Sequence, residues 1–366
     1  MAGARYRIAV LAALTLVALA ATPAAAQLAP GPPPNISCGG TITHSLVANT
    51  DLSCPGDGLT IGADNVTLDL GGHTVSGPGI GRGIVISGRQ HVRVTDGAVT
   101  GYNQAVQIIF SQDVSISSLT ADSGIYIGRY TGDGSARIAM SRIHLTGSLA
   151  VGTGVTSVAL TESSVTGGSI SFARSVAPRL ADNTLTDTYV QLEQTEQAQF
   201  VRNRLTRGNL LYHRSADGGV VGNLLQDAPV SISFSPGTVV EDNVLVNRGL
   251  YALDQDRLTI RNNLVSGDPS AGVQLDYDSP PTGVQVVGNV LAGNGSRPAM
   301  DVDRDGVPID DGLHVTAPAG SGILVADNHT FDNADHGIEA QPGTVRDGGG
   351  NTSYGDPAGC LGVVCG

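Results

Sequence analysis

Short runs of alternating apolar and polar residues fill most of the chain. In residues 183–263 the apolar residues occupy every second position of each run, as in Val190 with Leu192 and Leu210 with Tyr212. This is the period of a β-strand, in which successive side chains point to opposite faces. A second apolar run precedes each repeating asparagine and a third follows it. The pattern predicts three short strands and three turns in every block of about twenty residues.

The blocks repeat with a period that asparagine marks. One asparagine occurs in each of five successive blocks at intervals of twenty residues: Asn183, Asn203, Asn223, Asn243 and Asn263. Weaker echoes extend the register from VTLDLGGHTVSG near the N-terminus to GGNTSY near the C-terminus. A chain whose units each serve as the template for the next forms a solenoid. The prediction is an all-β parallel β-helix with about a dozen coils of roughly 20 residues.

The repeating asparagines are predicted to have a structural role. Coils stacked at ~4.8 Å bring the same column into register, so these side chains would form an internal ladder at a turn. A stacked amide satisfies its donor and its acceptor with its neighbours. We therefore expect replacement of Asn223 to destabilise the fold more than replacement of Asn294, which lies outside the series.

Composition agrees with one narrow, elongated domain. The 366 residues include 50 glycines, no tryptophan and 4% aromatic residues. A chain of this length would ordinarily divide into domains, but a solenoid grows by stacking. All 20 basic side chains are arginines, which suggests GC-rich bacterial coding. The predicted organisation is a signal peptide (1–26), a Pro-rich spacer (27–37) and one β-helix domain (38–366).

The N-terminal residues have the composition of a secretory signal. Arg5 and Arg7 precede an apolar run over residues 8–20, and the alanines at 24–26 offer a cleavage site. No later segment is long and apolar enough to span a bilayer. A formal net charge of −13 makes nucleic acid an unfavourable partner. We expect a secreted, extracellular bacterial protein that is monomeric.

Four cysteines stand in two close pairs, one at each end of the β-helix domain. Export permits disulfide bonds, and three pairings exist in principle. Because the ends of a long solenoid lie far apart, the predicted bonds are the local ones, Cys38 with Cys54 and Cys360 with Cys365. Each would staple a terminal coil.

The two ends of the domain carry a family resemblance. The segments CGGTITHSLVANTDLSCPGDGLTIGADNVTLDLGGHTVSG and HGIEAQPGTVRDGGGNTSYGDPAGCLGVVCG resemble the ends of secreted β-helix repeat proteins of GC-rich bacteria, within the pectate-lyase-like superfamily. The resemblance covers nearly the whole mature chain and implies a single-stranded right-handed β-helix. Members of the superfamily include lyases and C5-epimerases of uronic-acid polysaccharides, tailspike-type glycosidases and adhesins, so the fold alone does not decide the activity.

One insertion interrupts the repeat between GNVLAGNG and DDGLHV. Its sequence, SRPAMDVDRDGVPI, contains a DxDxDG motif, and alternating carboxylates around a glycine turn can converge on one hard cation. The motif departs from the EF-hand pattern, because Gly312 stands where an EF-hand loop has its bidentate glutamate. The alternative to a calcium site is a solvated acidic loop. The predicted calcium ligands are Asp301, Asp303, Asp305, Asp310, Asp311 and the carbonyl of Val307.

Polar side chains concentrate toward the C-terminal coils on the strand that follows each ladder turn. Elimination or epimerisation of a uronate needs a neutralised carboxylate, a base and an acid. We assign His314 as the base and Tyr251 as the acid, with calcium, Arg257 or Arg304 as the neutralising cation. The alternative is that these residues lie on the surface of the coils without a catalytic role. His336 is interpreted as a local hydrogen-bonding residue. The candidate catalytic set is Tyr251, Asp276, His314 and Glu339.

Two classes of function remain open. The first is a polysaccharide lyase or C5-epimerase that uses calcium, and the second is a non-catalytic β-helix that binds glycan or coats the cell surface. A glycosidase with Asp276 and Glu339 as its carboxylate pair is a further alternative. The expected partner is an acidic polysaccharide, which an acidic protein would bind through a bridging cation.

Overall fold

The described part of the chain consists of β-strands connected by turns. The computed structural model describes residues 36–128, 134–296 and 301–366. The predicted signal peptide (1–26) and nearly all of the predicted spacer (27–37) lie outside these residues. In the described ranges no helix is long and apolar enough to cross a membrane.

One parallel sheet, which we call sheet A, contains 15 strands whose order in the sheet is their order in the chain. Each strand pairs with the strand of the next coil. The strands of sheet A are Thr41–Ile42, Leu59–Ile61, Arg82–Ser87, Gln104–Ile109, Gly124–Ile127, Leu149–Val151, Ser169–Ala173, Tyr189–Glu193, Asn209–His213, Val230–Ser233, Leu250–Leu253, Val273–Asp276, Leu313–Thr316, His336–Ala340 and Gly359–Leu361.

Two further columns of parallel strands, sheets B and C, complete each coil, and the long strands Gln90–Thr100 and Gln112–Ala121 pair within both. The other strands of sheet B are Leu46–Val47, Thr67–Asp69, Ala136–Ser141, Thr156–Thr161, Arg179–Ala181, Gln199–Val201, Gly219–Val221, Val239–Glu241, Thr259–Arg261, Gln285–Val287, Ile323–Ala326 and Val345–Gly349. Those of sheet C are Leu52–Ser53, Thr74–Ser76, His144–Thr146, Ser164–Thr166, Thr184–Thr186, Arg204–Thr206, Leu224–Gln226, Val244–Val246, Leu264–Ser266, Val290–Ala292, His329–Phe331 and Thr352–Tyr354.

The core lies between the three sheets and is made of stacked inward side chains. Val190 pairs with Leu210 and Leu210 pairs with Val230, and all three are fully buried. Burial of such a side chain stabilises the fold by about 1.5–3 kcal/mol. The alternation of inward and outward side chains provides such a contribution in every coil. The predicted parallel β-helix is confirmed, with somewhat more coils than the dozen expected.

The asparagine ladder is confirmed at the turn between sheets B and C. The Asn223 side-chain amide donates from Nδ2 to Asn243 Oδ1 (2.9 Å) and to the carbonyl of Phe200 (2.8 Å). Its Oδ1 accepts the backbone N–H and the Nδ2 of Asn203. Every polar atom of the amide is thus satisfied in a buried site. Beyond residue 263 the ladder continues through Asn289, Asn328 and Asn351.

The residue before each ladder asparagine has a left-handed backbone conformation. The φ angle is 59° at Asp182, 52° at Arg202 and 56° at Asp242. A positive φ turns the chain sharply from sheet B to sheet C and is accessible to small or polar residues at modest cost.

A second ladder, at the turn between sheets C and A, corrects the expectation for Asn294. Asn294 accepts the backbone N–H of Asp268 at 3.0 Å and donates its Nδ2 to Asn333 Oδ1 at 2.9 Å. Asn333 in turn donates to Asp356. The spacing of 26, 39 and 23 residues hides this ladder from a search at a period of twenty. Asn294 is fully integrated into the structure.

Both terminal disulfides have the predicted local pairing. Cys38 is bonded to Cys54 with a Cα–Cα distance of 5.2 Å, and Cys360 to Cys365 with 6.0 Å. Each closes a loop at one end of the β-helix domain, where a stack has a neighbour on one side only.

We predict that Asn223→Ala lowers the free energy of unfolding by about 1 to 3 kcal/mol, because it leaves buried backbone and amide groups of two adjacent coils unpaired. Asn209→Ala is the matched control, since Asn209 is partly exposed in the same coils and its side chain makes no hydrogen bond within the described residues. Urea unfolding of both variants gives the comparison. Equal midpoints would contradict the role of the ladder.

Candidate functional site

The candidate catalytic residues lie in neighbouring columns of sheet A. The register pairs Tyr251 with Gln274, Gln274 with His314, and His314 with Glu339. Asp276 lies two residues beyond Gln274 and pairs with Thr316 in the next coil. The structure therefore brings these positions onto consecutive coils, in the order that the repeat implied.

The insertion interrupts this column. Asn289 and Asn328 are 39 residues apart in the ladder, nearly twice the usual spacing, and part of the extra chain folds over sheet A. As a result His314 is only 2% exposed and Glu339 only 7%, whereas Tyr251 is partly exposed. A polymer on the sheet surface could reach Tyr251 and Gln274 but not the ring of His314.

Asp303 ties the insertion to the strand beneath it. Its Oδ1 accepts the backbone N–H groups of Asp305 (2.9 Å) and Val307 (2.8 Å). Its Oδ2 accepts the Thr316 hydroxyl at 3.0 Å and lies 3.4 Å from His314 Nε2. Burial alone would raise the pKa of Asp303, but these hydrogen bonds hold it below its ordinary value. The carboxylate acts as the anchor of the loop.

His314 is enclosed by carboxylates. Its Nδ1 lies 2.7 Å from Asp311 Oδ2 and 3.3 Å from Glu339 Oε2. Burial by itself would lower the pKa of His314, but hydrogen bonds to Asp311 and Glu339 raise it to about 10. At neutral pH the ring carries a proton on both nitrogens and is oriented to donate rather than to accept. Burial and this protonation both argue against the role of base that the sequence suggested.

The two carboxylates beside His314 differ in their environments. Burial raises the pKa of Asp311 to about 6, although the hydrogen bond from His314 opposes that shift. For Glu339 burial also acts to raise the pKa, but the hydrogen bond from His314 outweighs it and the pKa is lowered. The His314 ring therefore contacts two carboxylates, the fully buried Asp311 and the slightly more exposed Glu339.

A histidine and several acids gather on the other side of Asp311. His336 Nδ1 lies 2.9 Å from Asp335 Oδ2, 3.5 Å from Asp311 Oδ1 and 4.0 Å from Glu339 Oε2. Asp310, Asp311 and Asp335 form a second group whose ligand atoms lie within 4.8 Å of one another. We call the five residues Asp310, Asp311, Asp335, His336 and Glu339 the acidic cluster.

Arg304 holds the insertion against the edge of sheet A. Its guanidinium lies 3.2 Å from Asp276 Oδ1 and 2.6 Å from Asp278 Oδ1, and it also donates to the carbonyl of Tyr277. Because the guanidinium of Arg304 is already paired with two carboxylates, it is poorly placed to neutralise a substrate carboxylate. Arg257, the other arginine considered, is exposed and lies 3.5 Å from Asp217.

Tyr251 and Asp276 have raised pKa values. Burial is the main cause for Tyr251, and the carboxylate of Asp276 adds to it. Burial also raises the pKa of Asp276, with Arg304 opposing the shift. The Tyr251 hydroxyl is therefore protonated at neutral pH and can donate a hydrogen bond.

An open cleft of about 450 Å³ lies between sheet A and the insertion. Ser231, Tyr251 and Gln274 from three successive coils line one side of it. The insertion contributes Asp301 and Val302 to the other. Further lining residues, from the turns that enter sheet A, include Gly249, Asp268, Ser270 and Ala271.

Among the described residues, Asp310 and Asp311 are the two predicted aspartate ligands that belong to a group of side chains able to hold a metal ion. The carbonyl of Val307 accepts the backbone N–H of Asp303 at 2.8 Å, which closes a small hairpin around an exposed Asp305. Asp301 lies at the cleft. Asp310 and Asp311 belong to the acidic cluster. Residues 297–300 of the predicted insertion (296–309) lie outside the described residues.

Sequence reasoning missed Asp335 and His336 as members of a site. The signal was present, because IDDGLHV (309–315) and ADHGIEA (334–340) align position by position. The register confirms the alignment by pairing Leu313 with Ile338 and His314 with Glu339. Stacking thus places Asp310 beside Asp335 and Asp311 beside His336.

The shared glycine of these two segments allows the coils to approach closely. A Cβ atom on Gly312 would lie 2.5 Å from the carbonyl oxygen of Gly337. Any side chain there would push apart the two turns that carry the acidic cluster.

Comparisons with known proteins give one partial family match. Residues 162–297 match the family model described as periplasmic copper-binding protein (NosD). This segment contains Tyr251 and Gln274 but none of the acidic cluster. No curated protein sequence matches the chain.

Several solved structures are similar in outline. The mannuronan C-5 epimerase A-module of Azotobacter vinelandii is 13% identical, with 87% of this chain and 91% of that chain covered and a TM-score of 0.40. PfbA, a surface adhesin of Streptococcus pneumoniae, is 9% identical over 80% and 83% of the two chains, with a TM-score of 0.46. A mannuronic acid specific family 6 lyase from human gut microbiota is 9% identical over 80% and 87%, with a TM-score of 0.36. At these values the likenesses carry no functional argument.

We predict that the stabilising contribution of His314 falls as the pH rises. Its folded-state pKa of about 10 lies above the ordinary 6.5, so the contribution is complete below about pH 6.5 and is lost as the pH passes through about 10. His314→Gln should lower the free energy of unfolding by about 2 kcal/mol at about pH 6 and by less at about pH 10. Urea unfolding in the presence of a chelator measures both losses.

His329→Gln provides the control, because His329 is exposed and its Nδ1 lies 2.8 Å from the Thr352 hydroxyl. This variant should change the free energy of unfolding little at either pH. An equal loss at both pH values for His314→Gln would show that the ring is not held as a cation.

Proposed function

We propose that the protein binds a polysaccharide in the cleft between sheet A and the insertion. The observation that carries the proposal is the cleft itself, which is open, has a volume of about 450 Å³ and crosses three successive coils. Adjacent coils are ~4.8 Å apart, so the lining side chains follow one another along the solenoid. An elongated ligand fits such a groove better than a compact one.

The groups at the cleft suit the chemistry of sugars. Tyr251 offers an aromatic face together with a protonated hydroxyl. Gln274 can donate and accept through its amide, and Ser231 through its hydroxyl. Asp301 adds an exposed carboxylate that can accept hydrogen bonds from sugar hydroxyls. Apolar contact and several convergent polar groups are the usual features of a specific ligand site.

The arrangement favours binding over proton abstraction. His314 and Glu339 lie beneath the insertion, and Arg304 is already paired with two aspartates. The chain has no lysine to replace it. A lyase or C5-epimerase reaction remains the second candidate because Tyr251 opens on the cleft with a protonated hydroxyl.

The acidic polysaccharide and the calcium expected from the sequence form the finer part of the proposal. Asp268 and Asp301 would repel a uronate chain at the cleft unless a cation lay between them. Calcium suits carboxylate oxygens from both sides. An acidic polysaccharide should therefore bind only when calcium is present, whereas a neutral polysaccharide should not require it.

The name of the partly matching family raises copper as an alternative ligand for that segment. Residues 162–297 contain a single histidine, His213, and neither cysteine nor methionine. Copper sites are usually built from several imidazole or sulfur ligands. We therefore do not assign copper binding to the matched segment. The two disulfides fit an oxidising environment outside the cytoplasm, where polysaccharides are accessible.

We predict that purified mature protein binds at least one polysaccharide from a panel of alginate, pectate and a neutral glucan, tested with and without calcium by titration calorimetry. Tyr251→Ala should weaken that binding about tenfold, which corresponds to about 1.4 kcal/mol. Ultraviolet absorbance of unsaturated uronates and proton exchange at C5 report on lyase and epimerase turnover in the same samples.

Tyr189→Ala is the matched control, because Tyr189 is 60% exposed on sheet A but does not line the cleft. It should leave the affinity unchanged. Failure to bind any of the three polymers, or an equal loss of affinity in both tyrosine variants, would contradict the proposed cleft.

A further inference from the structure

The acidic cluster is assembled by two consecutive coils at one turn. Gly312 N–H donates to the carbonyl of His336 at 3.0 Å, and Asp335 N–H donates to the carbonyl of Asp310 at 3.3 Å. These backbone contacts fix the relative positions of the two chain segments. The side chains of Asp311 and His336 therefore meet because of the register and not because of a flexible loop.

The spacing of the donor atoms is that of ligands around one metal ion. Metal–ligand bonds of ~2.1 Å to nitrogen and oxygen place neighbouring ligands ~3.0 Å apart in octahedral and ~3.4 Å apart in tetrahedral geometry. From His336 Nδ1 the carboxylate oxygens of Asp335, Asp311 and Glu339 lie at 2.9, 3.5 and 4.0 Å.

Two buried polar atoms of the cluster have no hydrogen-bond partner. They are Oδ1 of Asp310 and Nδ1 of His336, whose 2.9 Å approach to Asp335 Oδ2 does not have the angles of a hydrogen bond. Asp310 as a whole is only 7% exposed. A buried polar atom without a partner is unfavourable. Asp310 belongs to one converging group with Asp311 and Asp335, and His336 belongs to another with Asp311 and Glu339. A cation held beside Asp311, the residue that the two groups share, would offer a partner to these atoms.

The balance of charge points to the same ligand. Four carboxylates of the cluster lie close together, and Asp311 and Glu339 are buried at 0% and 7% exposure. Buried carboxylates at such distances repel one another strongly unless a positive charge lies between them. A divalent cation would offset this negative charge.

The surroundings of Asp311 resemble the outer support of a metal ligand. Its Oδ1 accepts the backbone N–H of His336 at 3.0 Å, and its Oδ2 lies 2.7 Å from His314 Nδ1. Partners of this kind fix the orientation of a ligating carboxylate. His314 would then be a positioning residue for the site.

We propose that the acidic cluster binds one divalent transition-metal ion, of the class represented by Zn²⁺ and Mn²⁺. The central ligands are Asp311, His336 and Glu339, with Asp310 and Asp335 adjacent. The imidazole nitrogen decides the class, because calcium prefers oxygen ligands whereas zinc and manganese accept nitrogen with carboxylate. None of these five residues lines the polysaccharide cleft, and the proposal does not depend on polysaccharide binding.

The test is titration of chelator-stripped mature protein with Zn²⁺, Mn²⁺ and Ca²⁺ by calorimetry, with the melting temperature recorded for each sample. The wild type should bind one Zn²⁺ or Mn²⁺ per chain and melt at a higher temperature when loaded. His336→Ala should weaken the binding at least tenfold. Glu339→Gln, which keeps the side-chain shape, should weaken it as well and provides a second variant if His336→Ala does not fold.

His329→Ala is the control, since it removes an exposed histidine from the neighbouring sheet C strand. It should bind the metal like the wild type. Three results would overturn the proposal: no uptake of either transition metal at millimolar concentration, unchanged affinity in folded His336→Ala, or uptake of calcium alone. Cu²⁺ serves as a further probe, and its binding must also depend on His336 for the site to stand.

Discussion

The fixed register between successive coils is the constraint on which the rest of this structure depends. Parallel backbone hydrogen bonds set the spacing, and the buried asparagine ladder prevents slippage because a displaced amide would lose partners on both sides. The same register stacks apolar side chains inside and aligns polar side chains outside. The cleft and the acidic cluster both combine residues from successive coils that this alignment brings together.

The insertion divides the sheet A column that runs from Tyr251 to Glu339 into an open part and a buried part. Upstream of it Tyr251 and Gln274 face an open cleft, whereas His314 and Glu339 lie buried beneath the added chain. Asp303 and Arg304 hold the added chain in place through hydrogen bonds and ion pairs to sheet A. A local change in coil length thus separates an open cleft from a buried group of ionisable side chains.

The sequence was sufficient for the architecture, both disulfides and the outward columns, because a period of twenty fixes which residues stack. It was insufficient for burial, since nothing in DxDxDG indicates that Asp303 turns inward to Thr316 while Asp305 stays exposed. The structural role of Asn294 was missed because its ladder runs through coils of unequal length. His336 was interpreted locally, although its alignment with Asp311 in the preceding coil was readable from the repeated D-x-G pattern.

We infer that the stacking of successive coils brings aligned residues together into a metal site at the end of the insertion. Anomalous diffraction from crystals grown with Zn²⁺ tests it most directly. We predict one strong anomalous peak within bonding distance of His336 Nδ1 and of carboxylate oxygens from Asp311 and Glu339. A peak confined to the exposed hairpin at Asp305, or none near His336 at full zinc loading, would contradict it.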